Sequence, residues 1–267
     1  MNSVAAVPVA PSPLLLNSPQ EITRHISLGQ LRWAAPLLFL PARIVFMLLS
    51  QASFAAVFWL QGRASPWKAA GAWWTVWGTL VDVGCLTCLF FLTRRENLRI
   101  RDLLGPLPRW LVPKGIACFV LIFPFFLLGG PLASWLVYHS WQGAPIPTGE
   151  AWGRHLPLWG VLYSFLIWWP IWSVTEEFTY QGYIASRLAA LSRHRWVPYC
   201  LVGFVWALQH TFLPFMPDWR FILYRFLAFL PGVLVFIAIY LRTRRLAPLI
   251  IAHWMMDISA VVMTLSF

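Results

Sequence analysis

Seven apolar runs, each long enough to cross a lipid bilayer, limit the folds open to this chain more than any other feature. A helix needs about 20 predominantly apolar residues to traverse the hydrocarbon core. Such runs read as Trp33–Leu60, Ala69–Thr93, Gly115–His139, Leu156–Thr175, Trp196–Phe215, Trp219–Leu241 and Ala247–Phe267. Lipid offers backbone N–H and C=O groups no partners, so such runs are helical. The expected fold is all-α: a polytopic integral membrane helical bundle of about seven transmembrane helices. The composition agrees, with 60% hydrophobic and 11% charged residues against about 25% charged in soluble domains. Residues 1–32 are expected as a disordered or interfacial tail, 33–150 as N-terminal transmembrane helices and 151–267 as a C-terminal helical core. The first twenty residues lack a basic n-region and are rich in Pro, Ser and Asn, so no removable signal peptide is expected.

The net charge of +11 is explained by topology. Arg24 and Arg32 precede the first run. Arg94, Arg95, Arg99, Arg101, Arg109 and Lys114 follow the second, Arg187, Arg193 and Arg195 the fourth, and Arg242, Arg244 and Arg245 the sixth. The opposite side receives only Arg63, Lys68, Arg154 and Arg220. This alternation is the positive-inside pattern, with the N-terminus in the cytoplasm and the C-terminus outside. It points to the inner (plasma) membrane, with anionic headgroups as partners of the basic loops and no role for nucleic acid. Cys85 and Cys88 form a CxxC inside a predicted span, and Cys118 and Cys200 stand alone. A redox site wants a strand-to-helix turn near water, so all four read as small apolar residues.

Against that background the polar residues of the C-terminal half stand out. Glu176 and Glu177 close the fourth run; Trp206 and His210 lie four apart in the fifth, and His253 and Asp257 four apart in the seventh. An i, i+4 pair shares one helical face, and ionisable groups at membrane depth face the bundle interior or a wet cavity. A lone intramembrane His is more often a helix-to-helix hydrogen-bonding residue; three helices each offering an acid, an imidazole or both favour a chemical site. The expected site is a cavity open to the cytoplasm. Elsewhere structural readings prevail. Arg43 and Asp82 fall at similar depth in neighbouring antiparallel spans and read as a structural ion pair, and Arg225 reads as snorkelling toward the outer face. The Trp-rich runs at 73–77 and 168–172 read as interfacial belts and packing surface.

Acids and imidazoles in a membrane cavity suit three chemistries. A carboxylate and an imidazole can deprotonate water for peptide hydrolysis; Glu and His can ligate zinc, although no HExxH is present; and the same groups can relay protons in a transporter.

The ordered series EEFTYQG, FVWALQH and HWMMD resembles the CAAX protease and bacteriocin-processing (CPBP, Abi) family of intramembrane proteases over roughly residues 157–260. That family's pattern is EExxxR, FxxxH and HxxxN or HxxxD on separate helices. The resemblance implies an all-helical catalytic core at 151–267 and a glutamate-type endopeptidase. Its substrate would be a membrane-associated peptide or protein, such as a prenylated CAAX protein or a leader peptide. By analogy Glu176 and His210 activate the water, Glu177 supports them, and His253 with Asp257 binds the oxyanion. The implied mechanism uses no cofactor, with zinc as the alternative. Gln181 stands where the family has Arg, able to donate a hydrogen bond but bringing no charge, and Trp206 stands where it has Phe. Arg187 would replace the missing guanidinium only if the helix broke near Gly182. Asp257 would have to be protonated to donate to the oxyanion, or would instead orient His253 as an acceptor. The Gln181 departure keeps a noncatalytic peptide-binding or scaffolding relative in view, beside the transporter.

Overall fold

A computed structural model describes residues 17–141 and 156–264. The first sixteen residues of the expected tail, and the last three of the seventh run, lie outside the described residues. The helices are α1 (Pro19–Ser27), α2 (Ala34–Phe39), α3 (Ala42–Leu60), α4 (Pro66–Gly71), α5 (Trp74–Arg95) and α6 (Leu111–Tyr138). They are followed by α7 (Leu158–Ser192), α8 (Trp196–Gln209), α9 (Trp219–Thr243) and α10 (Leu246–Thr264). Within the described residues each of the seven apolar runs is largely helical. Among the described residues five helical stretches are long and apolar enough to cross a membrane: Ala34–Leu60, Trp74–Arg95, Leu111–Tyr138, Leu158–Ser192 and Trp219–Thr243. The other two are α8 and α10, whose apolar stretches are shorter.

The fourth run differs most from expectation. Hydropathy ends it at Thr175, yet α7 continues to Ser192 and is 35 residues long. Glu176 and Glu177 therefore sit in mid-helix and not at a cytoplasmic helix end. The helix continues because its polar residues face protein, not lipid: every residue from Thr175 to Leu188 is buried. The segments Ser164–Trp168 and Phe178–Ala185 are wound as π-helix, a form concentrated at functional sites. The first precedes Pro170, which has no N–H for the ladder.

At the end of the bundle that carries the basic loops, α7 is sealed. Arg187 donates to Glu96 at 2.7 and 3.2 Å and to Asn17 at 2.7 Å, while the Asn17 amide donates to the Gly182 carbonyl. Helix α1, within the expected tail, lies beside this cluster with Ile22 and His25 buried. Ser18 caps it through the Glu21 N–H.

The fifth run is not one continuous span. Helix α8 has 14 residues, or about 21 Å at 1.5 Å per residue, short of the roughly 30 Å hydrocarbon core. It stops at Gln209, and residues 210–218 return irregularly to α9. Irregular backbone at this depth persists only where protein satisfies it. Arg225 does this: its guanidinium donates to the His210 carbonyl at 3.0 and 2.9 Å and to the Leu213 carbonyl at 3.1 Å. Arg225 is thus buried and points inward, which corrects the snorkelling expectation. Gln51 accepts from the Phe215 N–H at 2.9 Å, and the Trp67 indole donates to the Phe215 carbonyl at 3.0 Å. This segment fixes the depth of His210 and resolves how a residue about 21 Å along its helix sits inside the bundle.

Arg225→Met keeps the aliphatic stem and removes these donors. It is expected to cost about 2–4 kcal/mol, read as a lower unfolding midpoint in detergent, with Arg225→Lys between it and the parent.

Candidate active site

The structure gathers the five acid and imidazole candidates into two adjoining clusters joined by the Glu176–Glu177 peptide. In the first, both oxygens of the fully buried Glu176 are engaged. The Trp206 indole N–H and the Gln209 amide donate to Oε1, and the Arg43 guanidinium lies 3.5 Å from Oε2. His210 Nδ1 is 2.8 Å from the Trp206 carbonyl. A carbonyl only accepts, so Nδ1 carries the proton and a neutral ring leaves Nε2 as an acceptor. That Nε2 stands 3.9 Å from Glu176 Oε1, and its ring stacks on Phe229 at 3.9 Å between centroids.

In the second cluster His253 Nδ1 lies 3.1 Å from Glu177 Oε1, and His253 Nε2 lies 3.7 Å from Asp257 Oδ1, one turn along α10. Ser173 donates to Asp257 Oδ2 at 2.5 Å. Two carboxylates thus flank the His253 ring. The other oxygen of Glu177 is buried without a hydrogen-bond partner among the described residues.

Several participants were not among the expected site residues. Arg43, read as half of a structural pair, does reach Asp82 at 3.3 Å, but it also contacts Glu176, donates to Gln209 at 3.1 Å and lies over the Trp172 ring at 4.2 Å. The pair belongs to the site. Tyr180 donates to the same Gln209 oxygen at 3.0 Å. Gln209 precedes His210 in sequence, which was a usable signal; Ser173 and Tyr180 gave none. Gln181 is buried, but neither its amide oxygen nor its nitrogen has a hydrogen-bond partner among the described residues, so the bond it was expected to donate is not formed. Arg187 stays on Glu96 because α7 does not break at Gly182.

His210, His253 and Asp257 open onto a cavity of about 480 Å³ walled mainly by aromatic side chains. Its wall runs to Trp74 at the start of α5, Gly130 on α6, Tyr224 on α9 and Ala260 on α10. All four lie toward the helix ends remote from the basic loops, so the cavity extends away from those loops. The expected opening on the basic side rested on placing Glu176 at the end of its span.

Among the described residues no three His, Cys, Asp or Glu side chains form a group suited to a metal ion. Both Glu176 oxygens already accept from nitrogen donors, one of them cationic.

Fold and site define a class: a polytopic helical membrane protein with carboxylates and imidazoles enclosed at mid-depth beside an apolar cavity. Within that class, residues 158–259 match the family model described as type II CAAX prenyl endopeptidase Rce1-like. The match spans all three motifs and agrees with the CPBP/Abi resemblance. The curated proteins and the solved structures give no match.

Trp206→Phe installs the family's usual residue and deletes the indole donor to Glu176. A hydrogen bond to a charged group contributes about 1.5–3 kcal/mol, so a loss of that size is expected in equilibrium unfolding. A change below about 0.5 kcal/mol, the scale of a neutral surface substitution, would mean the indole does not serve the carboxylate.

Proposed function

We propose that the protein is an intramembrane endopeptidase that hydrolyses a peptide bond in a membrane-associated substrate with water activated by Glu176 and His210. One observation carries this reading: two hydrogen-bond acceptors, Glu176 Oε1 and the free Nε2 of His210, face each other at 3.9 Å. Two acceptors cannot bond each other, but a water molecule can donate to both and keep a lone pair for attack. Trp206 and Gln209 hold the carboxylate still, and the Trp206 carbonyl fixes the imidazole tautomer, so the pair is oriented before the substrate arrives.

The oxyanion falls to the second cluster. Glu177 accepts from His253 Nδ1, and with Asp257 beside it the ring is held as a donor whose Nε2–H faces the cavity. An ionised Asp257 cannot donate; its part is to help orient His253, with Ser173 fixing its far oxygen. Preorganised donors of this kind are worth on the order of 10²–10³ in kcat. The family description supplies a prenylated carboxy-terminal peptide as one substrate to try, and a leader peptide with an apolar flank suits the aromatic cavity equally.

The membrane is taken to be the plasma membrane, with the basic loops cytoplasmic. Because the cavity extends away from those loops, we place its mouth toward the outer leaflet. A single cysteine at Ala260, in a background with the four native cysteines replaced by Ala, should react with a membrane-impermeant thiol reagent applied outside intact cells. Labelling only in inverted vesicles would reverse the assignment.

The purified protein in liposomes is expected to cleave at least one member of a membrane-anchored peptide panel of both kinds. Glu176→Gln and His210→Ala should each lower kcat at least about 10³-fold, whereas chelation should leave the rate within about twofold, since no step uses a metal. Peptide binding without cleavage by the parent protein would point to a noncatalytic relative, and proton flux requiring Glu176 to a transporter.

A further inference from the structure

The first motif lacks its arginine, yet the buried carboxylates are not without a guanidinium. We infer that Arg43 of α3 is a positioning residue for Glu176, supplying from the N-terminal helices what the family's motif arginine would supply from α7. The inference rests on the proteolytic reading and identifies a residue outside the segment that matches the family model.

Among the described residues three buried arginines are candidates for the role, and their partners separate them. Arg187 is committed to Glu96 and Asn17 at the basic end of the bundle. Arg225 holds the carbonyls of His210 and Leu213. Arg43, fully buried, points three of its nitrogens at three different groups: Nη2 at Glu176 Oε2, Nη1 at Asp82 Oδ1 and Nε at Gln209 Oε1. Gln181 occupies the motif position, but its amide hydrogen-bonds to none of the described residues.

The geometry makes Arg43 act on both oxygens of Glu176. It faces Oε2 directly. Through Nε it also fixes the Gln209 amide, because the oxygen accepting from Arg43 and Tyr180 forces the nitrogen toward Glu176 Oε1. A rigid five-donor fork can do this, and an ammonium cannot. Stacking of the guanidinium over Trp172 at 4.2 Å holds the fork in place. Asp82 is then the anchor that aims Arg43, which gives α5 a part in the site as well.

A neutral pair replacement separates this role from simple neutralisation of Asp82. Arg43→Gln with Asp82→Asn removes one positive and one negative charge together. The expected result is a protein that still folds, with an unfolding midpoint below the parent's because Glu176 loses its cationic partner, and with kcat lowered on the order of 100-fold and KM within about threefold, the signature of a lost transition-state contribution. Arg43→Lys, which keeps the charge without the fork, should fall between the parent and the pair variant. A second readout does not depend on cleavage. With ¹⁵N-tryptophan labelling, and Trp206→Phe for assignment, the Trp206 indole N–H resonance should move in the pair variant because its carboxylate partner has shifted. Parent-level cleavage together with an unmoved Trp206 resonance would overturn the inference. Should the parent cleave nothing, the proteolytic reading fails by itself, and the resonance still decides whether Arg43 positions Glu176.

Discussion

A buried carboxylate in a membrane protein has to be compensated from within, and the rest of this structure is arranged around compensating Glu176. Leaving it in lipid would cost roughly 2.5–3.5 kcal/mol on insertion scales, and removing one member of a buried ion pair costs about 3–5 kcal/mol. Three elements meet that demand. Helix α3 brings Arg43 and α8 brings Trp206 and Gln209, while α5 brings the Asp82 that holds Arg43 in turn. The same demand explains the seal around α7. A helix carrying two Glu, a Gln and an Arg within twelve residues crosses mid-membrane only because none of those side chains touches lipid.

The second constraint is backbone. Ending α8 at Gln209 puts His210 at the depth of Glu176, but leaves carbonyls and amides at 210–218 with no helix to satisfy them. Arg225, Gln51 and Trp67 take over that task. Placing an imidazole at mid-membrane thus requires a short helix, and a short helix requires buried polar donors from elsewhere in the chain. Both requirements draw on the N-terminal helices, through Arg43 and Asp82 for the carboxylate and Gln51 and Trp67 for the loop. The N-terminal helices therefore form part of the site.

Much of this was legible in the sequence, and the remainder failed for identifiable reasons. The apolar runs located the five helical stretches long and apolar enough to cross a membrane, and the shorter α8 and α10, because lipid permits little else. The i, i+4 pairs placed His210 with Trp206 and His253 with Asp257 on shared faces. Hydropathy misjudged α7, since it registers a side chain's polarity and not the protein that satisfies it; the end of the run at Thr175 was a change of environment, not of helix. Arg43 and Asp82 were matched by depth, yet two-helix register gave no sign of a third partner on α7. Arg225 reads as a snorkelling residue until the break in α8 is known, and Gln181 stands on the right face by 3.6-residue counting but lies in a π-helical stretch that changes that count.

The central claim is that acids and imidazoles from α7, α8 and α10 share one enclosed site, and chemical cross-linking tests it most directly. In a background with Cys85, Cys88, Cys118 and Cys200 replaced by Ala, cysteines would replace Glu177 and His253, whose side chains meet at 3.1 Å. Treatment in native membranes with bis-thiosulfonates whose span matches the combined length of the two replaced side chains, followed by mass spectrometry of the joined peptides, reads their proximity. The account predicts an intramolecular link at high yield. Two cysteines that each react with thiol reagents but are never joined to one another would contradict it.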